Sequence, residues 1–522
     1  MPVGRLAPWF FAGDDRHSAR PIDALSVAAL AYLGLPVVIF FASWLRPMYA
    51  VLALALTAAA GYSALPRQLV LWRVEPPDKS LAIVILAGLA WAAMSGGSHI
   101  VYANLDWLVR DAILGDLTFT DWPPSYDYRD GAHYLLRSAI GFFLPIAAAG
   151  KLLGPQWLEF LVYVWTALGA VLFLLLLPLP RASLSRLALA LAVIVAFSGM
   201  DVLGMYLLHG HLPVFPLRIE WWCEFSFRTV FSYSSLSGQL IWAPNHALPI
   251  WIATAIFYRH WKHPDFTPYL CLLLPVLPLS TPFALPGLAP FLVFMFLDRW
   301  SRGVGLGRLP VPALTFGLLA GGLILRLQLL DVDAIPVRSA LGTASSEGGG
   351  TVDFIRNYLV FILMEFAVLG LALFPALRHS KGILALAMGI LALLPLLALG
   401  PSNDLLLRVS TPSLVLMAIL CMRTLTDGGS LSPWRKAFLI AALLIGAHTP
   451  FNELWRAATW RPWPADYTRT FLDTQNGGLP PHYVGRLSDT ILLNVLRPPS
   501  PVPSRQQRNE ALAHQEKPPP PR

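Results

Sequence analysis

Apolar runs of about 17 to 25 residues recur from one end of this sequence to the other, each long enough as a helix to cross a hydrocarbon core of about 30 Å. In lipid such a segment must satisfy its own backbone hydrogen bonds, which a helix does. Spans are expected near 25–45, 48–64, 80–97, 157–178, 185–207, 245–259, 267–281, 285–298, 309–326, 354–377, 382–399, 409–425 and 436–449. The short alternating segments of a β-barrel are missing. The expected fold class is all-α, a polytopic transmembrane helix bundle of about 13 spans. Composition agrees: of 522 residues only 13% are charged, against about 25% in a soluble domain, too few to cover a soluble surface.

Loops rich in Lys and Arg stay in the cytoplasm. They occur at Arg5/Arg16/Arg20, Arg67/Arg73/Lys79, Arg181/Arg186, Arg259/Lys262, Arg299/Arg302/Arg308, Arg378/Lys381 and Arg423/Arg435/Lys436. All fall on one side if 136–153, which holds Pro145, does not cross but forms a re-entrant or interfacial helix packed on protein. The polar stretch 1–24 is then a cytoplasmic leader before a retained first anchor. The transmembrane domain runs over 25–449, with large outer loops 98–156, 208–244 and 327–353. A small outer segment, 450–497, carries Trp455, Trp460, Trp463, Tyr467 and Tyr483, read as an interfacial aromatic belt. The Gly/Ser-rich 342–351 reads as a flexible loop, and 498–522 as a disordered Pro-rich tail. This places the chain in a bacterial-type plasma membrane with the N-terminus inside and the C-terminus outside.

The net charge of +8 is scattered over loops and reports topology, so no nucleic acid partner is expected. Cys223, Cys271 and Cys421 lie far apart, without metal or disulfide spacing. There is no phosphate-binding Gly-Lys-Ser loop, no His-Glu-x-x-His and no paired Cys motif, so ATP-driven transport by this chain alone is not expected.

Four stretches carry candidate chemistry. Asn104-Leu-Asp-Trp-Leu-Val-Arg-Asp-Ala-Ile-Leu-Gly-Asp116 reads as an amphipathic helix on the outer face, with Asp106 and Arg110 four apart on one side and Asp111 beside them. Taken alone, a surface ion pair explains it equally well. Phe197-Ser-Gly-Met-Asp201 puts an acid at the outer end of a span, where such groups face a cavity or a partner. Ser237-Gly-Gln-Leu-Ile-Trp-Ala-Pro-Asn-His246 brings Gln239, Asn245 and His246 to a point of re-entry into the bilayer, although a lone His there is more often structural. Asn403-Asp-Leu-Leu-Leu-Arg408 sets Asn403, Asp404 and an outer Arg408 where a lipid phosphate would sit. Glu365, in the body of a span, needs a partner of its own.

The order of these features resembles the GT-C superfamily of multi-span glycosyltransferases that use polyprenyl-phosphate sugars. The resemblance lies in the Asp106 stretch, the following apolar 136–153 helix and the outer C-terminal segment, over roughly residues 80–450. It departs in having two extra leading spans, no Asp-Glu pair, and only Trp122-Pro-Pro where mannosyltransferases have His-Pro-Pro. The resemblance implies a GT-C-like bundle that moves a sugar from a polyprenyl-phosphate donor to an acceptor hydroxyl of a glycan, lipid or protein at the outer face. Asp106 would be the general base; Arg408 and Arg110 would hold the departing phosphate. Asp111, Asp201, Gln239, Asn245, His246, Glu365, Asn403 and Asp404 would line the donor or acceptor cavity. No cofactor is required, and a divalent ion at Asp106/Asp111 stays open. The competing readings are a transporter or flippase of a lipid-linked or polar substrate, a lipid-linked oligosaccharide polymerase or ligase, and a non-catalytic assembly subunit.

Overall fold

The computed structural model describes residues 22–65, 79–127, 131–137, 139–215, 219–226, 229–303, 305, 309–335, 337–346, 350–377, 380–400, 403–427, 431–476 and 478–515. The leader, except for its last residues, lies outside them. The described part begins with α1 (Ala24–Trp44), α2 (Pro47–Ala64) and α3 (Lys79–Ala93), then α4 (Asp106–Phe119) and α5 (Ile140–Leu153). There follow α6 (Leu158–Leu176), α7 (Leu184–Val195), α8 (Asp201–His209), α9 (Leu236–Trp242) and α10 (Pro244–His260). Next come α11 (Thr267–Ser280), α12 (Ala284–Ser301), α13 (Val311–Gln328) and α14 (Thr351–Ile362), which passes through a π-helical turn at Leu363–Ala367 into α15 (Val368–Leu373). The last are α16 (Lys381–Leu393), α17 (Asp404–Val409), α18 (Thr411–Thr426), α19 (Pro433–Gly446), α20 (His448–Thr459) and α21 (Arg505–Gln515).

Helices α10 and α18 form the centre. Every residue of α10 except His246 and every residue of α18 except Arg423 is buried, and the two pack on each other. A helix apolar on all sides belongs inside a bundle or in lipid; α2, α6, α13 and α19 keep large apolar side chains exposed. The bundle has two ends. At one, Arg259 pairs with Asp23, Arg299 donates to the carbonyls of Trp261 and His263, and Arg423 donates to the Tyr258 hydroxyl at 2.7 Å. The other end carries α4.

Among the described residues, seven helices are long and apolar enough to cross a membrane, beginning at Ala24, Pro47, Pro155, Val311, Thr351, Asp404 and Pro433. The count of about 13 is therefore not met by helix length and apolarity. Five further apolar helices are shorter than 18 residues. The expected span 185–207 is two helices, because residues 196–200 leave the helical path: Leu236 N donates to Phe197 O and Met200 N to Met364 O. Those backbone groups find partners across the bundle instead of along the chain. Helix α5, 14 residues or about 21 Å, is too short to cross, and residues at both its ends are tied to elements at the α4 end. Arg137 bonds Gln328 and Tyr483 backbone, and Lys151 Nζ donates to Thr120 O at 2.6 Å.

The structure is nearly all-α; besides two small strand pairs, Cys223–Ser226 with Thr229–Phe231 and Val337–Ser339 with Leu397–Leu399, a four-stranded sheet gathers the α4 end. Strands β1 (Pro124–Asp127), β2 (His133–Leu136), β3 (Val484–Arg486) and β4 (Ser500–Pro501) lie in the order β3-β2-β1-β4. β2 runs antiparallel to β1 and β3, with Leu135 opposite Gly485, and β4 lies parallel to β1. The expectation of disorder from 498 is corrected up to residue 515: β4 joins this sheet, and α21 sends Arg508 into a buried ion pair with Asp116. The boundary at 450 also moves, since α20 continues to Thr459 with Asn452, Glu453 and Arg456 buried. Of the expected loop 342–351, residues 342–346 are helical, and 347–349 lie outside the described residues.

Candidate functional site

Helix α4 begins where its sequence predicts. Asn104 Oδ1 accepts from Asp106 N at 3.0 Å, a local turn bond at the helix start, while its Nδ2 donates to Ile241 O at 2.6 Å and pins the helix to α9. Trp107 is fully buried, and the Arg110 guanidinium lies 5.4 Å from its ring centre. Asp106 and Arg110, one turn apart, pair at 3.2 Å; the Asp106 side chain keeps half its surface open while Arg110 keeps 7%.

The second cation comes from the far part of the chain. Asn403, at φ 49°, starts α17, and its amide accepts from Leu399 N at 3.2 Å and donates to Leu397 O at 3.1 Å. That latch aims Arg408 inward, where its nearest acid is Asp404 at 3.8 Å. Arg408 lies within electrostatic reach of Asp106 and Arg110, and His246 within reach of Arg408 and Arg110. His246 Nδ1 is 2.9 Å from Thr281 Oγ1. Tyr483, from the loop before β3, faces Asp106, Arg110, Asp404 and Arg408, and burial pushes its phenol up. Arg110 Nη1, Arg408 Nε and Asn245 Oδ1 are buried without a hydrogen-bond partner among the described residues. An unmet buried polar group costs about 1–3 kcal/mol, and more when charged. Two such guanidinium donors beside a half-open carboxylate make a place for an anion whose charge is spread over several oxygens.

Of the residues expected to act together, Asp106, Arg110, His246, Asp404 and Arg408 gather here. Asn403 holds the turn. Gln239 is a scaffold residue: its amide accepts from Trp251 Nε1 and donates to Ser234 O, both at 2.9 Å. Asp111 turns away and pairs with His99 at 3.1 Å, while His99 Nδ1 lies 2.8 Å from Trp463 O. Burial opposes the charge on His99, but the hydrogen bond and charge of Asp111 outweigh it and hold the imidazole above its ordinary range. Burial raises Asp111 as well, against the pull of His99 and Arg110. Asp201 and Glu365 form a separate cluster with Trp222, Ser198 and Thr449. Sequence reasoning missed Tyr483 and Thr281 in the site, since no motif marks either; Tyr483 was read as part of an aromatic belt.

No group of three or more His, Cys, Asp or Glu among the described residues is placed to hold a metal ion. No family profile, curated protein or solved structure matches the chain.

Proposed function

We propose that this membrane protein is a glycosyltransferase of GT-C type that moves a sugar from a polyprenyl-phosphate donor to an acceptor hydroxyl. The observation that carries the reading is the pair of buried guanidinium groups, Arg110 and Arg408, with donors unmet, beside the half-open Asp106 carboxylate. The acceptor oxygen bonds to the anomeric carbon as the bond from that carbon to the phosphate oxygen breaks. Asp106 takes the hydroxyl proton. Arg110 and Arg408 take the charge that stays on the departing polyprenyl phosphate, so no acid is needed for the leaving group. His246 and Asn245 face the sugar, and Asp404 and Tyr483 close the far wall. The reading places α4 at the outer face of a bacterial plasma membrane, with the N-terminus inside.

The test uses purified protein in lipid nanodiscs with synthetic polyprenyl-phosphate hexoses, following release of free polyprenyl phosphate. Wild type releases it and binds polyprenyl phosphate in native mass spectrometry; Asp106→Asn keeps binding and loses release. Retained release in Asp106→Asn removes Asp106 as base, and binding unaffected by Arg408→Ala removes the phosphate site.

A second reading, transport of a lipid-linked or polar substrate, is favoured by the interruption at residues 196–200 facing the π-turn at Leu363–Ala367. Under it, labelled donor crosses a sealed vesicle membrane without loss of its sugar.

A further inference from the structure

Asp201 and Glu365 meet at a joint where two helices are interrupted side by side. The break at residues 196–200 frees Met200 N, which donates to Met364 O at 3.0 Å, inside the π-turn. π-turns inside helices mark functional positions more often than chance. A side-chain carbon at Gly199 would fall on the Glu365 carboxyl, so glycine there lets the two segments touch. Asp201 is fully buried and Glu365 is 2% exposed.

The hydrogen-bond count around the two acids is one donor short. Trp222 Nε1 donates to both, at 3.1 Å to Asp201 Oδ1 and 2.9 Å to Glu365 Oε1. Asp201 Oδ2 accepts from Thr449 Oγ1 at 2.6 Å and Ser198 Oγ at 3.2 Å. Glu365 Oε2 finds no donor among the described residues, yet its carboxyl is within hydrogen-bonding reach of Asp201. Two carboxyl groups in contact are attractive only when one carries a hydrogen. Glu220, Cys223 and Tyr233 also face Glu365, and Arg356 acts on Cys223; no ion pair to Asp201 or Glu365 forms among the described residues. Glu220 is itself held by Ser235, through N at 3.0 Å and Oγ at 2.9 Å.

We infer that Asp201 and Glu365 form a dedicated intramembrane proton-binding site, holding one proton on Glu365 Oε2 as the donor to Asp201 and cross-linking the α7–α8 break to the π-turn. Removing that proton sets two carboxylates against each other with no ion-pair partner among the described residues, and the joint opens. The site is distinct from the one at Asp106, so the proposal stands or falls apart from the transfer reaction.

The test is infrared spectroscopy of the full chain in lipid nanodiscs at about pH 7. Wild type minus Glu365→Gln is expected to show a protonated carboxyl C=O band that shifts in D2O, while Gln, whose amide can donate to Asp201, keeps the fold. Asp201→Asn is expected to move the same band, because its acceptor has gone. A spectrum unchanged by either variant overturns the proposal, as does a wild type without the band.

Discussion

The two ends of α4 carry the same pair of side-chain types in opposite conditions. At its start, Asp106 is half-open and the buried Arg110 has a donor left without a partner among the described residues. Near its end, Asp116 is fully buried and fully met, by Arg508, by the Tyr126 hydroxyl at 2.5 Å and by Phe471 N at 3.0 Å. A charge with every lone pair occupied holds a structure together; a charge with donors left over waits for something else. Burial alone would not separate the two, since Arg110 and Arg508 are both buried.

The contrast is broken most sharply by substitution at the open end. Asp106→Asn should lower transfer by about 10²–10⁴-fold, with thermal unfolding within about 0.5 kcal/mol of wild type. A loss of stability as large as the loss of activity would make the two ends alike. Arg508→Ala should do the reverse, costing about 3–5 kcal/mol by stranding Asp116, with early proteolysis of α21 and transfer per folded molecule retained.

Between the two ends lies His99–Asp111, and its pH dependence sharpens the picture. Both groups titrate above their ordinary values. The stability His99 contributes is therefore complete below its unfolded value of about 6.5 and is lost as pH rises through its elevated folded value; that of Asp111 is complete only below about 3.9 and is lost as pH rises through its own. Thermal melts from about pH 6 to about pH 9 should show wild type losing its margin over His99→Gln, each unit of elevation being worth about 1.4 kcal/mol. A margin that grows with pH would contradict the pairing. The smallest effect is expected at Arg505, whose pair with Asp466 at 2.8 Å is exposed; Arg505→Ala should change stability by about 0–1 kcal/mol.

The apolar runs made the helical membrane class legible, and the one-turn spacing made the Asp106–Arg110 pair legible. Arg408 showed itself by standing apart from the other basic loops. The break at 196–200 was hidden, because Phe197 to Met200 sit in apolar sequence and what stops the helix is a carbonyl at Met364 and an amide at Leu236. Tail order was hidden for the same reason: a charged, proline-rich stretch lacks the apolar surface to fold alone, and one arginine with a buried acid to meet reverses that. Nor could spacing show that Asp201 and Glu365 would leave the Asp106 group, since each residue's neighbours come from distant segments.

The Asp116–Arg508 contact joins residues 392 positions apart. At about 5–20 residues per second, the ribosome makes the arginine roughly 20–80 s after the aspartate. For that interval α4 carries a carboxylate whose buried partner has not yet been made, and a chain stopped short of Arg508 leaves that acid without it.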